Sequence, residues 1–325
     1  MPKNSLSSIE LCAGGGGQAI GLEQAGFSHE AAVEIDSRCC ETLRLNRPEW
    51  NVIEGDLADF SGTSYQGIDL LAAGLPCPPF SVAGKQLGKK DERNLFPEAI
   101  RLVDEIRPRA VMIENVRGLL GAVFADYRQK IASQLRKLGY ETDWHLLNAS
   151  DFGVPQLRPR VVFVAVRKEL SEHFSWPTPN SKNPPTVGET LYDLMASNGW
   201  KGAKAWRDRA DEIAPTIVGG SLKHGGPDLG PTRAKQAWAA TLGVDGHGVW
   251  DEPPGPDFVG MPRLTVRMVA RLQGFPDSWE FSGRKTPAYR QVGNAFPPPV
   301  AEAVAIQLRK CLTAHRSVQV KAVAE

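Results

Sequence analysis

A chain of 325 residues, 42% hydrophobic and 23% charged, can bury a full core, and its length favours one large domain with a substantial appendage. No apolar run approaches the length that spans a bilayer, and no basic stretch followed by an apolar core opens the chain, so the expectation is a cytoplasmic protein with no membrane partner. The formal net charge of +1 neither demands nor excludes nucleic acid, because a binding face can be basic within a balanced whole. The five cysteines, at positions 12, 39, 40, 77 and 311, form no CxxC pair and no cluster of zinc-ligand spacing, which points to a reducing compartment and no metal.

Along the first half, short β-branched runs alternate with helical patterns, the sign of a parallel sheet covered by helices on both faces, and the fold class reads as α/β. The strand candidates in chain order are SSIELC, AAVEI, NVIEG, IDLLAAG, RAVMIEN and VVFVAV. Between the last two, Tyr127, Ile131, Leu135 and Leu138 fall on one helical stripe that serves the core. After Val166 the texture changes, and WPTPNSKNPPT reads as an extended linker. A second region, about 186 to 284, is dense in Gly, Pro and Trp with weak periodicity, so loops should dominate it. Near the end, Val300, Val304, Leu308 and Leu312 stand at helical spacing behind a proline-rich entry, predicting a helix that packs on the first domain.

Three strand ends carry polar groups in succession. ELCAGGGGQAIGLEQAGF is a strand running into a glycine-rich turn and a helix, a geometry that lets the backbone approach a nucleotide-like ligand closely. Glu34 and Asp36 in VEIDS end the next strand where a carboxylate would accept hydrogen bonds from ribose hydroxyls. In GDL, Asp56 is placed to accept one from an adenine amino group, and together these suggest an adenosine pocket. The stretch GLPCPPFSVAGKQ then sets Cys77 between prolines just after a buried strand, facing the crevice where such sheets bind ligands. A lone cysteine is more often an inert buried thiol, but RAVMIENVRGL ends another strand at Glu114 in the same crevice, which favours a nucleophile and an acid acting together.

In this order, PC followed by FS, then ENV, QLRPR, RLQGFP and QVGNAFPPPVA, the chain resembles the DNA (cytosine-5) methyltransferase family of the prokaryotic restriction-modification type. The likeness spans most of the chain; only the segment from about 186 to 262 lacks a strong family motif, and there the family places its target recognition domain. The resemblance implies an S-adenosylmethionine-dependent, Rossmann-like methyltransferase domain from residues 1–185 and the returning 285–325. A small, loop-rich target recognition domain and hinge, 186–284, is inserted between them.

The resemblance also implies roles. Cys77 matches the nucleophile, Glu114 the ENV glutamate, and Arg158 and Arg160 the arginines beside the cytosine and its phosphate. Cys12, Gly14, Gly16, Glu34, Ile35, Asp56, Leu57, Pro76 and Asn294 fall at cofactor positions. Thr216 resembles a threonine of the recognition domain, and Ser81, Lys85, Arg93, Lys223 and Arg233 join it as DNA contacts. Two positions depart from the family pattern: Pro78 stands where many relatives have glutamine, and Cys12 where many have phenylalanine.

Carbon 5 of cytosine is a poor nucleophile until a thiolate adds to carbon 6 while an acid protonates N3, which is the labour Cys77 and Glu114 would divide. A free thiol has a pKa of about 8.5, so positive charge from Arg158 and Arg160 would help ionise Cys77. The base is stacked inside a duplex and must be flipped out, and the polar, lysine-bearing segment Ser81 to Leu95 is expected to close over the DNA. Arg207, Arg209, Lys223, His224, Arg233 and Lys235 offer phosphate and groove contacts, while Arg263, Arg267 and Arg271 fall at the hinge.

The implied partners are S-adenosylmethionine, with S-adenosylhomocysteine as product, and double-stranded DNA carrying a short GC-rich palindrome. A restriction endonuclease is the implied functional companion. A monomer suffices, since a palindrome can be methylated one strand at a time. Three other readings stay open at this point: the same chemistry on a transfer RNA, a nicotinamide-dependent oxidoreductase with an incidental cysteine, and a catalytically silent DNA-binding module.

Overall fold

The computed structural model describes residues 5–76, 94–181, 183–220 and 226–323, with side chains through Ala314. Seven strands form one sheet: β1 (Leu6–Leu11), β2 (Phe27–Glu34), β3 (Val52–Glu54), β4 (Leu70–Gly74), β5 (Ala110–Val116), β6 (Tyr140–Asn148) and β7 (Pro159–Arg167). Their order across the sheet is β3-β2-β1-β4-β5-β7-β6. The pairs within β3-β2-β1-β4-β5 are parallel, whereas β7 runs antiparallel to both β5 and β6.

This corrects the wholly parallel sheet expected from the sequence. The unpredicted strand, β6, carries YETDWHLLN at the sheet edge, where most of its side chains are exposed or half-buried, so no apolar run announces it. It closes against β7 as an antiparallel ribbon, and that turns the arginine-bearing start of β7 toward the carboxyl end of β5, with Arg160 opposite Val116.

The pleat sorts the apolar side chains onto two faces. Leu6, Leu70, Met112, Val162 and Val164 pack under α1 (Gly17–Gln24) and the long closing helix α10 (Pro298–Val323), which buries Val300, Val304, Leu308 and Leu312 as its periodicity requires. Ile9, Leu11, Leu71, Ile113 and Phe163 face the other way, beneath α3 (Phe96–Ile106) and α4 (Ala125–Lys137). Each fully buried leucine contributes roughly 1.5–3 kcal/mol. Local chemistry marks the helix starts: Asp36 accepts from the Arg38 N–H at 2.9 Å to begin α2 (Ser37–Asn46), and Pro97 occupies the first turn of α3.

The region after the linker is built from α5 (Val187–Ala196), α6 (Ala203–Arg209), α7 (Thr232–Leu242) and α8 (Val266–Leu272), joined by long loops. Capping boxes at Thr186–Glu189 and Thr265–Met268 start α5 and α8. Their apolar faces, with Leu191, Trp206, Trp238 and Met268, make a core that runs on through Trp279 and Tyr289 into Ala13, Ile20, Leu43 and Trp50 beside the first strands. α9 (Lys285–Asn294) crosses between the two regions, and the linker folds back on the sheet edge, where Trp176 stacks on His145 and donates to Asp143 at 2.7 Å.

Candidate active site

Strand order reverses around β1, so the loops leaving β1, β2 and β4 diverge and open a crevice at their carboxyl ends. On its β1–β3 side the backbone turns sharply, with positive φ at Cys12 (53°), Gly14 (55°) and Gly16 (89°). The Gly14 N–H donates to Glu34 Oε2 at 2.7 Å, and the Ile35 and Asp36 N–H groups both donate to Oε1 at 2.8 Å. Burial pushes the Glu34 carboxyl up, and these amide donors oppose it. Ile35 is 66% exposed at the mouth, Leu57 is buried, and Asp56 is exposed with one oxygen accepting from the Ala58 N–H. A two-oxygen acceptor fixed beside an open glycine turn, flanked by an uncovered aliphatic side chain and a second carboxylate, fits the ribose and adenine of a nucleoside.

On the other side of the crevice, Gly74 at the end of β4 is in register with Glu114 on β5. Glu114 is only 4% exposed. Arg160 Nε lies 2.7 Å from its Oε1, a close contact between the guanidinium and the carboxyl. Burial raises the Glu114 pKa, outweighing the opposing charges of Arg160 and Arg158. A buried carboxyl inclined to hold a proton is equipped to donate to a ring nitrogen.

Asn115, the middle residue of ENV, received no role from the sequence. Its side-chain amide donates to Leu75 O at 3.3 Å, and its oxygen accepts from the Val116 N–H at 2.9 Å. It thereby ties the acid's strand to the segment that reaches Pro76. Cys77, like Ser81, Lys85, Arg93 and Lys223, lies outside the described residues. The free thiols inside them, Cys12, Cys39, Cys40 and Cys311, are all pushed up by burial, Cys40 to about 12 and Cys311 to about 11.

Arg158 differs from expectation. Its side chain is fully buried, and its guanidinium donates to Ile217 O at 2.5 Å, Gly293 O at 2.8 Å and Ala295 O at 2.9 Å. Wholly enclosed, it is closed to a phosphate and instead joins the β6–β7 connection to the segment at Ile217 and to the end of α9. Two further residues without an assigned role complete this junction. Gln156 donates to Gln273 Oε1 at 2.5 Å and accepts from the Ile217 N–H at 2.8 Å, and Gln273 donates to Val292 O at 3.0 Å. Both stand in quoted motifs, QLRPR and RLQGFP, but the motif alone does not say which members face inward.

Asn294 is exposed and donates to Gly220 O at 3.3 Å, while its neighbours Ala295 and Phe296 are the ones against Gly17, at the start of α1 after the glycine turn. Thr216 donates to Leu157 O, which sets it on the QLRPR connection. Arg233 is exposed on the first turn of α7. Other expected basic contacts serve the protein internally: Arg207 stacks on Tyr192, Arg209 donates to Ala239 O at 2.9 Å, and Lys235 pairs with Asp228. Arg271 binds Asp193 of α5 and Asp277 at the hinge.

The family model for C-5 cytosine-specific DNA methylases matches residues 6–310. The chain belongs to this family. The methylase is 58% identical over 312 residues to the type II methyltransferase M.NgoMIV of Neisseria gonorrhoeae, covering 94% of this chain and 98% of that one. It is 57% identical over 314 residues to the type II methyltransferase M.NaeI of Lentzea aerocolonigenes, covering 95% and 76%. A solved DNA modification methyltransferase from an E. coli prophage superposes with a TM-score of 0.68 at 27% identity, covering 95% of this chain and all of that one. DNMT2 of Spodoptera frugiperda, at 20% identity and a TM-score of 0.63, shares the fold. The methylase is therefore an enzyme that methylates carbon 5 of cytosine in DNA, and the oxidoreductase and silent-module readings fall. Among the described residues no cluster of His, Cys, Asp and Glu could hold a metal, and no helix is long and apolar enough to cross a membrane.

Proposed function

We propose that the methylase flips a target cytosine out of duplex DNA, attacks its carbon 6 with Cys77, and receives the methyl group at carbon 5 from S-adenosylmethionine. The observation that carries this reading is Glu114: buried, shifted toward its protonated form, and in register with the strand end that leads to Pro76. As the Cys77 sulfur bonds to carbon 6, the carbon 5–carbon 6 double bond opens and the Glu114 proton passes to N3, where negative charge would otherwise build up. Such an acid is worth roughly 10²- to 10⁴-fold in rate. Arg160 lies against Glu114 and steadies the carboxylate left behind. Removal of the carbon 5 proton then lets the thiolate leave.

Glu34 would hold the donor's ribose and the turn from Cys12 to Gly16 would admit its methionyl end, with Ile35, Asp56 and Leu57 around the adenine. The bound donor supplies an electrophilic methyl group on a sulfonium. Pro76 and Asn294 border that pocket through the backbone segments they belong to. Residues 186–284 would read the DNA, with Thr216 and Arg233 beside Ser81, Lys85, Arg93 and Lys223 as contacts. A short GC-rich palindrome is the expected target. The names of the two bacterial relatives support a place in a restriction-modification system, in which this chain protects DNA from a companion endonuclease and acts as a monomer in the cytoplasm.

The test is mass spectrometry of the protein mixed with S-adenosylmethionine and duplexes carrying 5-fluorocytosine at varied positions. Fluorine cannot leave carbon 5 as a proton does, so the covalent adduct persists. The wild type should form an adduct of protein plus methylated duplex, and Cys77→Ala none. An adduct formed equally by Cys77→Ala would remove Cys77 from its role, and methylation of RNA alone would overturn the DNA substrate.

A further inference from the structure

We propose that Trp279 is a positioning residue for the methyl donor, setting its affinity by holding the glycine turn open; this rests on the donor-binding reading above. Its indole is 3% exposed, and the N–H donates to Gly15 O at 3.0 Å. Gly15 lies between Gly14 and Gly16, whose φ values of 55° and 89° form the bend in the turn. A carbonyl oxygen and the N–H of the following residue share one peptide plane. Holding Gly15 O therefore fixes the N–H of Gly16, which donates to Ala13 O at 3.2 Å.

The ring also occupies the space a side chain would need, since a Cβ at Gly16 would lie 2.6 Å from Trp279 Cζ2. From the crevice side, the Gly14 N–H meets Glu34 at 2.7 Å. The turn is thus pinned at both ends, by the ribose acceptor on one side and by an indole behind it on the other.

Trp279 is itself rigidly placed. Arg47 lies 5.3 Å above its ring and is locked by a two-pronged contact to Glu23 at 2.8 and 2.7 Å, and Trp50 packs at 6.3 Å. The residues that follow are stitched to α2, the helix that starts just beyond Glu34. Asn46 donates to Glu280 O at 2.7 Å and accepts from its N–H at 2.9 Å, and the Ser282 N–H donates to Thr42 Oγ1 at 2.8 Å. One short segment, 279–282, therefore braces both elements that would grip the donor, without lying in the pocket.

Calorimetric titration with S-adenosylhomocysteine, well below the melting temperature, tests the assignment on Trp279→Phe and on Trp238→Phe. Trp238 is fully buried in the core of α5 to α8 and its indole nitrogen has no hydrogen-bond partner among the described residues, so its replacement perturbs packing alone. Loss of one buried hydrogen bond should raise the Kd of Trp279→Phe about tenfold. The KM for S-adenosylmethionine should rise in parallel, with kcat at saturation changed less than about twofold, while Trp238→Phe binds like the wild type. Benzothienylalanine at position 279 keeps the ring shape without the N–H, and should show the same weakening even where phenylalanine compromises folding. Wild-type affinity in both position-279 variants would overturn the assignment and leave the donor-binding reading intact. No binding by the wild type would overturn both.

Discussion

At the scale of single residues, the Glu114 side of the crevice holds a carboxyl kept out of water and within the field of two arginines. Because the pKa of Glu114 is raised in the folded state, its proton is present below that value and is lost as pH rises through it. Methylation should therefore decline on the alkaline side, and Glu114→Gln should lose roughly 10²-fold or more in kcat along with that decline, measured by methyl incorporation across pH. The same shift has a stability sign: the group's contribution is full below its unfolded pKa and is lost as pH rises through the folded one. In melts that start below the ordinary carboxyl range, Glu114→Gln should gain steadily on the wild type as pH rises, and a difference constant from that acidic limit upward would refute the shift. Asn115→Ala, which unties the strand end carrying Glu114 from Leu75 O, should lower kcat more than it raises KM for DNA in steady-state kinetics.

At the scale of elements, the junction of Arg158, Gln156 and Gln273 holds three distant segments by their main-chain carbonyls. A lysine offers a point charge without the fork, so Arg158→Lys should destabilise by about 3 kcal/mol in urea unfolding, from carbonyls left unpaired in a buried site. At Gly293 an added Cβ would come within 2.5 Å of Gly219, and Gly293→Ala should cost about as much. The elements also show what a sequence discloses. Six strands announced themselves through short β-branched or apolar runs, and the stripes of α4 and α10 through helical spacing. β6 did not, because an edge strand with a wet face alternates without a hydrophobic run. The quoted motifs located Glu114 and the glycine turn, but Arg158 and Arg160 read alike in one dimension. Only the packing separates a buried tie from the side chain that meets the acid. Trp279 sat in a stretch rich in Gly and Pro, where no periodicity marks which face is used.

At the scale of the whole molecule, the helices α5 to α8 and the side of the sheet around β1 and β2 share one apolar core through Trp279 and Tyr289. Urea unfolding followed by tryptophan fluorescence and by far-ultraviolet circular dichroism should give coincident single transitions, whereas separated midpoints would mean two independently stable lobes. S-adenosylhomocysteine at about 100 times its Kd should raise the stability of that single unit by about 2.7 kcal/mol.

The reversal of β7 carries a consequence for how such chains can diverge. In a ribbon whose side chains alternate, the count of residues between β6 and β7 acts like a reading frame. An insertion or deletion of one residue within the paired stretch would turn Arg160 away from Glu114 and bring a proline or a valine to face it. Length changes between relatives should therefore collect in the long loops of residues 186–284 and be purged from the paired stretch that carries Arg160.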